Sequence, residues 1–381
     1  MKFVNRHNTN SVKWNVCKDI NQVPMWIADG DYMTAKNVIV ALKKRVNEGV
    51  FGYDVIPNDA YQAVIDFMKK RHNIDLKENK IIFSLGVVFS LFLAIITYTK
   101  ENDGVTILTP VYNPFHETII KTKRTLLESP LINKNMYYNI DFKDLELKLS
   151  KSKMLIMCNP HNPVGRVFDK FELENILKLC KKYRVMIVSD EMHGDITYGK
   201  EHYSFCHFFN EYDKIVVLTS PSKAFNIPGL KISNVFIHDD IICEEFKKTI
   251  DMMHFGGPDS LAITALTACY NYGAPWLDKT LNFLKRNANY AVKYINENLK
   301  DVRVIVPEGT YLLWLDFTYL NKSSDELWNY FYNKGVVLSK GSIYGSDGYM
   351  RLNIATSKEN LVNGLKKLCD AAKEIEENYE H

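Results

Sequence analysis

Between residues 105 and 237 the chain returns five times to a short, unbroken apolar run, at 105–108, 154–158, 185–189, 214–219 and 234–237. Runs this short are strand length, and the lack of polar alternation means that both faces of each strand must be covered. Helical patterns lie between several of them; in 170–183, Phe171, Leu173, Ile176, Leu177, Leu179 and Cys180 form an apolar series. The alternation predicts an α/β fold with a mostly parallel sheet and helices on both faces. Ligands of such sheets bind at the carboxyl ends of the strands, which directs attention to the segments just after each run.

The texture changes after about residue 283. A polar helix containing 286–298 leads into apolar runs at 302–306, 311–317 and 336–339, with helical patterns at 324–334 and 357–377. This predicts a smaller α+β unit. Residues before about 45 are too few to fold alone and are expected to pack on that unit. The expected organisation is a large unit over 45–282 and a small one formed by 1–44 with 283–381.

A net charge of +3 over 381 residues argues against nucleic acid or an anionic membrane surface as the main partner and favours a small-molecule enzyme. Residues 1–10 are polar and lack the apolar core of a secretory signal, so a cytoplasmic location is expected. The longest apolar run, 87–98, falls short of the roughly 20 residues that span a bilayer and reads as a buried helix. The seven cysteines are widely spaced without a CxxC pair, which predicts reduced thiols in the core. No histidine sits in an HExxH arrangement, and no catalytic metal is expected.

Six segments carry candidate chemistry. Lys223 stands in Ser220-Pro221-Ser222-Lys223-Ala224, directly after the 214–219 run; desolvated there it is a Schiff-base nucleophile, and otherwise a surface charge. Gly86 precedes the apolar helix and leaves first-turn N–H groups free for a phosphate, or simply permits a tight turn. It belongs to neither a Walker loop nor a GxGxxG motif. Asn162, in a loop stiffened by Pro160 and Pro163, is able to bond a ligand oxygen, although Asn-Pro pairs are ordinary turn formers. Asp190 follows the 185–189 run, either as the anion that keeps a heteroaromatic nitrogen protonated or as a helix cap, with His193 orienting the site or serving structure. Tyr112 offers a ring for stacking or for core packing. Arg351, inside an apolar strand, needs either a substrate carboxylate or a structural salt bridge.

In their order these segments resemble the fold-type I pyridoxal phosphate enzymes of the aspartate aminotransferase superfamily, and more closely the MalY/PatB-type cystathionine β-lyase branch. The resemblance is carried by 11–14 (SVKW), 24–29 (PMWIAD), 51–53 (FGY), 110–112 (PVY), 158–167 (CNPHNPVGRV), 189–193 (SDEMH), 221–226 (PSKAFN), 309–312 (GTYL) and 351–355 (RLNIA). It implies a seven-stranded sheet and pyridoxal 5'-phosphate as cofactor. It further implies that Lys223 anchors the cofactor and then serves as base, that Asp190 pairs with the pyridine nitrogen, and that Tyr112 stacks on the ring. Asn162 would bond the ring's phenolic oxygen, with His193 nearby. The phosphate would rest on Gly86, Val87, Val88, Ser220, Ser222 and Lys231, and on Tyr53 of a second subunit, which implies a homodimer. Arg351 would take the substrate α-carboxylate, with Ala28 and Asn162 also at the substrate.

The implied reaction is β-elimination from L-cystathionine or another cysteine S-conjugate, giving a thiol, pyruvate and ammonia. An aminotransferase for histidinol phosphate, aspartate or aromatic amino acids would use the same cofactor residues, and a regulatory binding protein on the same fold is a third reading. The chain departs from the branch at Gly30 and Tyr32, where methionine and phenylalanine are usual, at Asn113, at Ala224 and through 340–348. These positions bear on substrate preference and leave the cofactor set intact.

Overall fold

The computed structural model describes residues 1–254 and 256–377. A seven-stranded sheet runs in the order Ile81–Ser84, Ser233–Ile237, Ile215–Thr219, Met186–Asp190, Met154–Cys158, Gly104–Thr109 and Thr125–Pro130. Ser233–Ile237 is antiparallel to both neighbours, and every other neighbouring pair is parallel. Five of these strands are the apolar runs of the sequence. The other two are the sheet's edges. Thr125–Pro130 buries only one of its six residues, so it leaves no apolar run to read, and Ile81–Ser84 is only four residues long.

Side chains alternate across a sheet that is covered on both faces, which is why the central runs are mostly apolar. Leu155 and Met157 enter one core with Ile215 and Val217, whereas Met154, Ile156 and Cys158 enter the other with Val216 and Leu218. The second core is closed by helices Val87–Tyr98 and Asp240–Met252, which contribute Leu91, Ile95, Ile242 and Phe246. Helices Asn58–His72, Lys170–Tyr183 and Ser260–Tyr272 cover the first. Lys170–Tyr183 starts at a capping box of Asp169 and Glu172 and buries Leu173, Ile176, Leu177 and Cys180. Phe171 lies off that stripe, in solvent. All seven cysteines are free and six are buried. Among the described residues no helix is long and apolar enough to cross a membrane.

The C-terminal region builds a second, antiparallel sheet in the order Leu312–Asp316, Tyr349–Asn353, Ser339–Lys340, flanked by helices Ser324–Asn333 and Lys358–Glu377. The 302–306 run is not a strand; it contributes one isolated bridge, Arg303 to Asp316. The helix Ala274–Asn298 is continuous for 25 residues and passes straight through position 282. Val23 and Pro24 pair in parallel with Val336 and Val337. Met25 packs where a Cβ on Gly364 would stand 2.4 Å from its sulfur, so the Lys358–Glu377 helix needs glycine at that point. Helix Lys36–Asn47 packs instead on Ser260–Tyr272 of the large sheet's layer. Residues 378–381, expected in the small unit, lie outside the described residues.

The segment Ala28–Tyr32 joins the two units and is held from several sides. Lys13, fully buried, sits 2.9 Å from Asp31 Oδ2, and Trp14 Nε1 donates to Asp31 Oδ1 at 2.8 Å. Arg6 grips Asp29 with two bonds of 3.0 Å. Asn226 accepts from the Gly30 amide at 2.8 Å and donates to the Tyr32 carbonyl at 2.6 Å. Asn353 donates to the carbonyls of Ile27 and Asp29. Removing one member of a buried ion pair strands the other charge. Asp31→Ala is therefore expected to lower unfolding stability by about 3 kcal/mol, measured by chemical denaturation, the neighbouring Asp29 at 3.9 Å from Lys13 limiting the loss.

Candidate active site

The Ile215–Thr219 strand ends at Ser220, whose Oγ accepts from the Ser222 amide at 3.0 Å and starts the one-turn helix Pro221–Ala224. That turn carries Lys223 over the strand's carboxyl end. Lys223 is half-buried, and its Nζ donates to the Ala28 carbonyl at 2.7 Å, which also accepts from Tyr311 Oη at 3.0 Å. Loss of water, reinforced by the charge of Arg351, brings the lysine's pKa down to about 8, against the opposing pull of Asp29 and Asp190.

Asp190 ends the adjacent parallel strand and is buried. Its carboxylate accepts from the Met192 amide at 3.0 Å and caps no helix. Burial raises its pKa to about 7. His193, also buried, meets Tyr311 edge-on at 5.9 Å, and its Nδ1 has no partner. Burial, with Lys223 and Arg351 adding to it, lowers the imidazole to about 3, so the ring is neutral.

The helix Val87–Tyr98 begins at Gly86, with φ at 93° and no side chain capping its first turn. The positive φ accounts for glycine here, and the first-turn N–H groups have no intrahelical acceptor. Gly86, Val87 and Val88 form one wall of a cavity of about 630 Å³ whose other walls include Tyr112, Asp190, Ser222, Lys223 and Lys231. The Lys231 backbone, with φ at 46°, runs 3.9 Å from where a Gly86 Cβ would stand, an ordinary contact, so the positive φ alone calls for glycine here. Tyr112 is half-buried, and burial lifts its phenol to about 12. Ser222 lies 2.7 Å from Ser220, oxygen to oxygen, and Ser220 turns away to donate to the Ile232 carbonyl at 2.6 Å.

Arg351 comes from the Tyr349–Asn353 strand of the second sheet. It is buried, donates from Nη1 to Asn162 Oδ1 at 3.0 Å and from Nη2 to the Trp26 carbonyl at 3.0 Å, and faces the Tyr344 ring at 4.8 Å. Its Nε has no partner. Among the described residues no carboxylate forms an ion pair with it, which removes the structural salt bridge as its explanation. Asn162 is fixed by its loop, which His161 ties down by lying between the carbonyls of Cys158 and Pro110. Its own NH2 group makes no hydrogen bond among the described residues. The fold thus gathers Gly86, Val87, Val88, Tyr112, Asp190, Ser222, Lys223 and Lys231 around one cavity. Ala28 bonds Lys223 directly, Arg351 bonds Asn162, and the charge of Arg351 acts on Lys223 and His193. Ser220 does not line the cavity and bonds the Ile232 carbonyl instead. Tyr53 is the other exception. It is fully exposed and does not line the cavity of its own chain.

Sequence reading missed the acceptors that hold the key cations. The carbonyls of Ala28 and Trp26 have no side-chain signal, and Tyr311, in the 309–312 segment, and Tyr344, in 340–348, were given no role. Only the packing of Ala28–Tyr32 against Asn226 and Asn353 brings these groups to Lys223 and Arg351.

A desolvated lysine at a strand end, a helix N-terminus open to the same cavity and a buried guanidinium lacking a carboxylate define an α/β enzyme for an anionic, carboxylate-bearing small molecule. The chain belongs to the class I and II aminotransferase family, whose model matches residues 22–368. It is 37% identical over 374 residues to cystathionine β-lyase PatB of Bacillus subtilis, with 95% of this chain and 97% of that one covered. Cystalysin from Treponema denticola, a structure containing pyridoxal 5'-phosphate, matches with a TM-score of 0.94 and 33% identity, covering 98% of each chain. A pyridoxal-phosphate-bound C-S lyase from Staphylococcus hominis matches at 0.90 and 32%, covering 97% of each.

In the protein freed of small molecules, reductive methylation of Lys223 should rise with pH to half its maximum near 8, as the ammonium loses its proton. Peptide mass spectrometry across pH 6–11 reads this directly. Arg351→Ala should move the midpoint upward, because a repelling cation is gone, and Asp190→Asn should move it downward.

Proposed function

We propose that the chain is a pyridoxal 5'-phosphate-dependent carbon–sulfur β-lyase of the cytoplasm, acting as a homodimer on L-cystathionine or a related cysteine S-conjugate to release a thiol, pyruvate and ammonia. The observation that carries this reading is the buried Arg351 guanidinium, unpaired by any carboxylate, beside Lys223 and Asp190. The residues suit the cofactor on their own chemistry. Uncapped first-turn amides at Gly86–Val88 suit a phosphate, and desolvated Asp190 suits a cationic ring nitrogen. The lyase chemistry draws on the likeness to a cystathionine β-lyase and a C-S lyase, and seven unpaired thiols suit a reducing compartment. Residues 45–282 would form the cofactor-binding unit, and 1–44 with 283–381 the smaller unit that brings Arg351.

When bound, pyridoxal phosphate supplies an electron-accepting ring conjugated to the amino acid's α-carbon. Lys223 Nζ would hold the cofactor and, as a free amine, would take the α-proton; a pKa of about 8 leaves the amine a ready base near neutrality. Asp190 would keep a proton on the ring nitrogen. Tyr112 would pack against the ring, the Asn162 NH2 group would serve the phenolic oxygen, and His193 would stand nearby as a neutral imidazole. The first-turn amides at Gly86, Val87 and Val88, with Ser220, Ser222 and Lys231, would hold the phosphate. Arg351 would fork the α-carboxylate and, with Asn162 and Ala28, orient the Cα–H bond towards Lys223. The overall change would convert the S-conjugate and water into a thiol, pyruvate and ammonia, the C–S bond breaking as the α-proton is lost.

The homodimer reading rests on Tyr53. Val50, Phe51, Tyr53 and Val55 are all exposed on one segment, an apolar surface suited to a second copy. In the dimer Tyr53 would reach the phosphate of the partner's site.

Three outcomes are expected. Purified protein with pyridoxal phosphate and cystathionine, without a keto acid, should produce pyruvate; no pyruvate together with brisk amino transfer once a keto acid is added would sink the lyase reading. Arg351→Ala should cut kcat/KM by at least about a hundredfold, in line with loss of a charge-assisted carboxylate contact. Mixing inactive Lys223→Ala with inactive Tyr53→Ala subunits should restore activity in the hybrid dimer, one of whose sites carries neither lesion; hybrids without activity would refute the shared site.

A further inference from the structure

Arg351 lies in the middle strand of the second sheet, opposite Trp314 on one neighbour and Ser339 on the other. Asn162 Oδ1, the Trp26 carbonyl and Ser339 Oγ all accept from its two Nη atoms. N–H groups of a guanidinium point outward within its plane, so these bonds place the edge of the group and leave its faces to be packed. One face is covered by the ring of Tyr344, whose centroid stands 4.8 Å from the guanidinium carbon. That ring meets Trp314 edge-on at 5.7 Å, with the two planes at 85°. Tyr344 is buried, and it fills the corner between two cross-strand neighbours.

The loop that delivers Tyr344 is held from several sides. Ser342–Tyr344 is a single tight helical turn, followed by Gly345 at a φ of 90°. The Gly341 amide donates to the Tyr349 carbonyl at 2.7 Å, and a Cβ on Gly341 would stand 2.4 Å from the carbonyl oxygens of Ser346 and Tyr349. The Ser342 amide donates to Ser324 Oγ at 3.2 Å, and Asp347 Oδ1 accepts from the Ser324 amide at 2.6 Å. The Tyr344 carbonyl then reaches the other sheet, accepting from the Val111 amide at 3.1 Å, one residue before Tyr112. A single residue thus touches Arg351 with its ring and the Tyr112 loop with its backbone, and neither contact uses the phenolic oxygen. An aromatic face attracts the cation and keeps water from it without neutralising its charge. A carboxylate held by two parallel bonds must lie in the guanidinium plane, so whatever sets that plane sets the carboxylate. The geometry points to Tyr344 as a positioning residue, which fixes the plane of the Arg351 guanidinium for a substrate carboxylate and ties that plane to the loop bearing Tyr112.

In cofactor-free protein the reductive-methylation midpoint of Lys223 reports the charge of Arg351. Tyr344→Met fills the space without a π face. Water then reaches the guanidinium and screens it, so the midpoint should rise towards that of Arg351→Ala. Tyr344→Phe, which keeps the ring, should keep the wild-type midpoint. In an Arg351→Ala background, Tyr344→Met should add little, because the group it acts through is gone. Equal rises in the two backgrounds, no rise in Tyr344→Met, or a Tyr344→Phe midpoint as high as that of Tyr344→Met would overturn the inference. Tyr344→Leu repeats the comparison if the methionine variant does not fold. In the holoenzyme with cystathionine, Tyr344→Met should raise KM about tenfold while kcat falls less than about threefold, as for a contact made both before and during reaction. A fall in kcat at unchanged KM would contradict it. The KM outcome rests on the proposed function and the midpoints do not, so a protein without lyase activity still has the role of Tyr344 decided by methylation.

Discussion

Lys223, Asp190, His193 and Arg351 are withdrawn from water around one region; that loss of water is the first influence on the charge of the lysine, the aspartate and the histidine, and neighbouring charges adjust it. Arg351 is the fixed point, since a guanidinium stays protonated. It lowers the pKa of Lys223 and helps keep His193 neutral, while Asp190 pulls the lysine the other way. Because no carboxylate answers Arg351, the arrangement is electrostatically incomplete in the protein alone. Neutral oxygens from Asn162, Trp26 and Ser339 hold the guanidinium in place without cancelling its charge. An unpaired buried cation is costly, and its retention is better explained by an incoming anion than by stability.

The geometry that keeps these groups together comes from two sources. Adjacent parallel strands put Lys223 and Asp190 at the same end of the sheet by register, Asp190 lying opposite Leu218. The other source is a single short segment, Ala28–Tyr32, which is tied to the N-terminus through Lys13–Asp31 and Arg6–Asp29, to the lysine's own loop through Asn226, and to the Arg351 strand through Asn353. Position 30 is glycine within that segment because a Cβ there would stand 2.6 Å from the Tyr32 ring.

Much of this was legible in the sequence where burial was strong. The central strands were visible because burial on both faces demands apolar residues at every position, and the edge strand Thr125–Pro130 was hidden because that demand is relaxed there. The lysine, aspartate and glycine of the cavity were legible because each stands where a buried strand or apolar helix changes into a loop. The 302–306 run misled, since its valines and isoleucine are apolar for packing rather than pairing. Main-chain acceptors such as the Ala28 carbonyl were beyond reach, because any residue supplies one. The exposed segment around Tyr53 was recognisable only by resemblance, as a surface that completes itself on another molecule follows no rule of its own chain's core.

The helix Ala274–Asn298 starts beside the large sheet and ends among the elements of the small one. At about 1.5 Å per residue it is a rod some 37 Å long. A rod cannot bend at position 282, so the two units have no joint there. Any swing of the Arg351 sheet towards Lys223 must be taken up beyond Leu299 and in the strap of residues before Lys36. The position of Arg351 relative to Lys223 is therefore set from two ends, by where that rod stops and by the buried Lys13–Asp31 pair that fixes the strap.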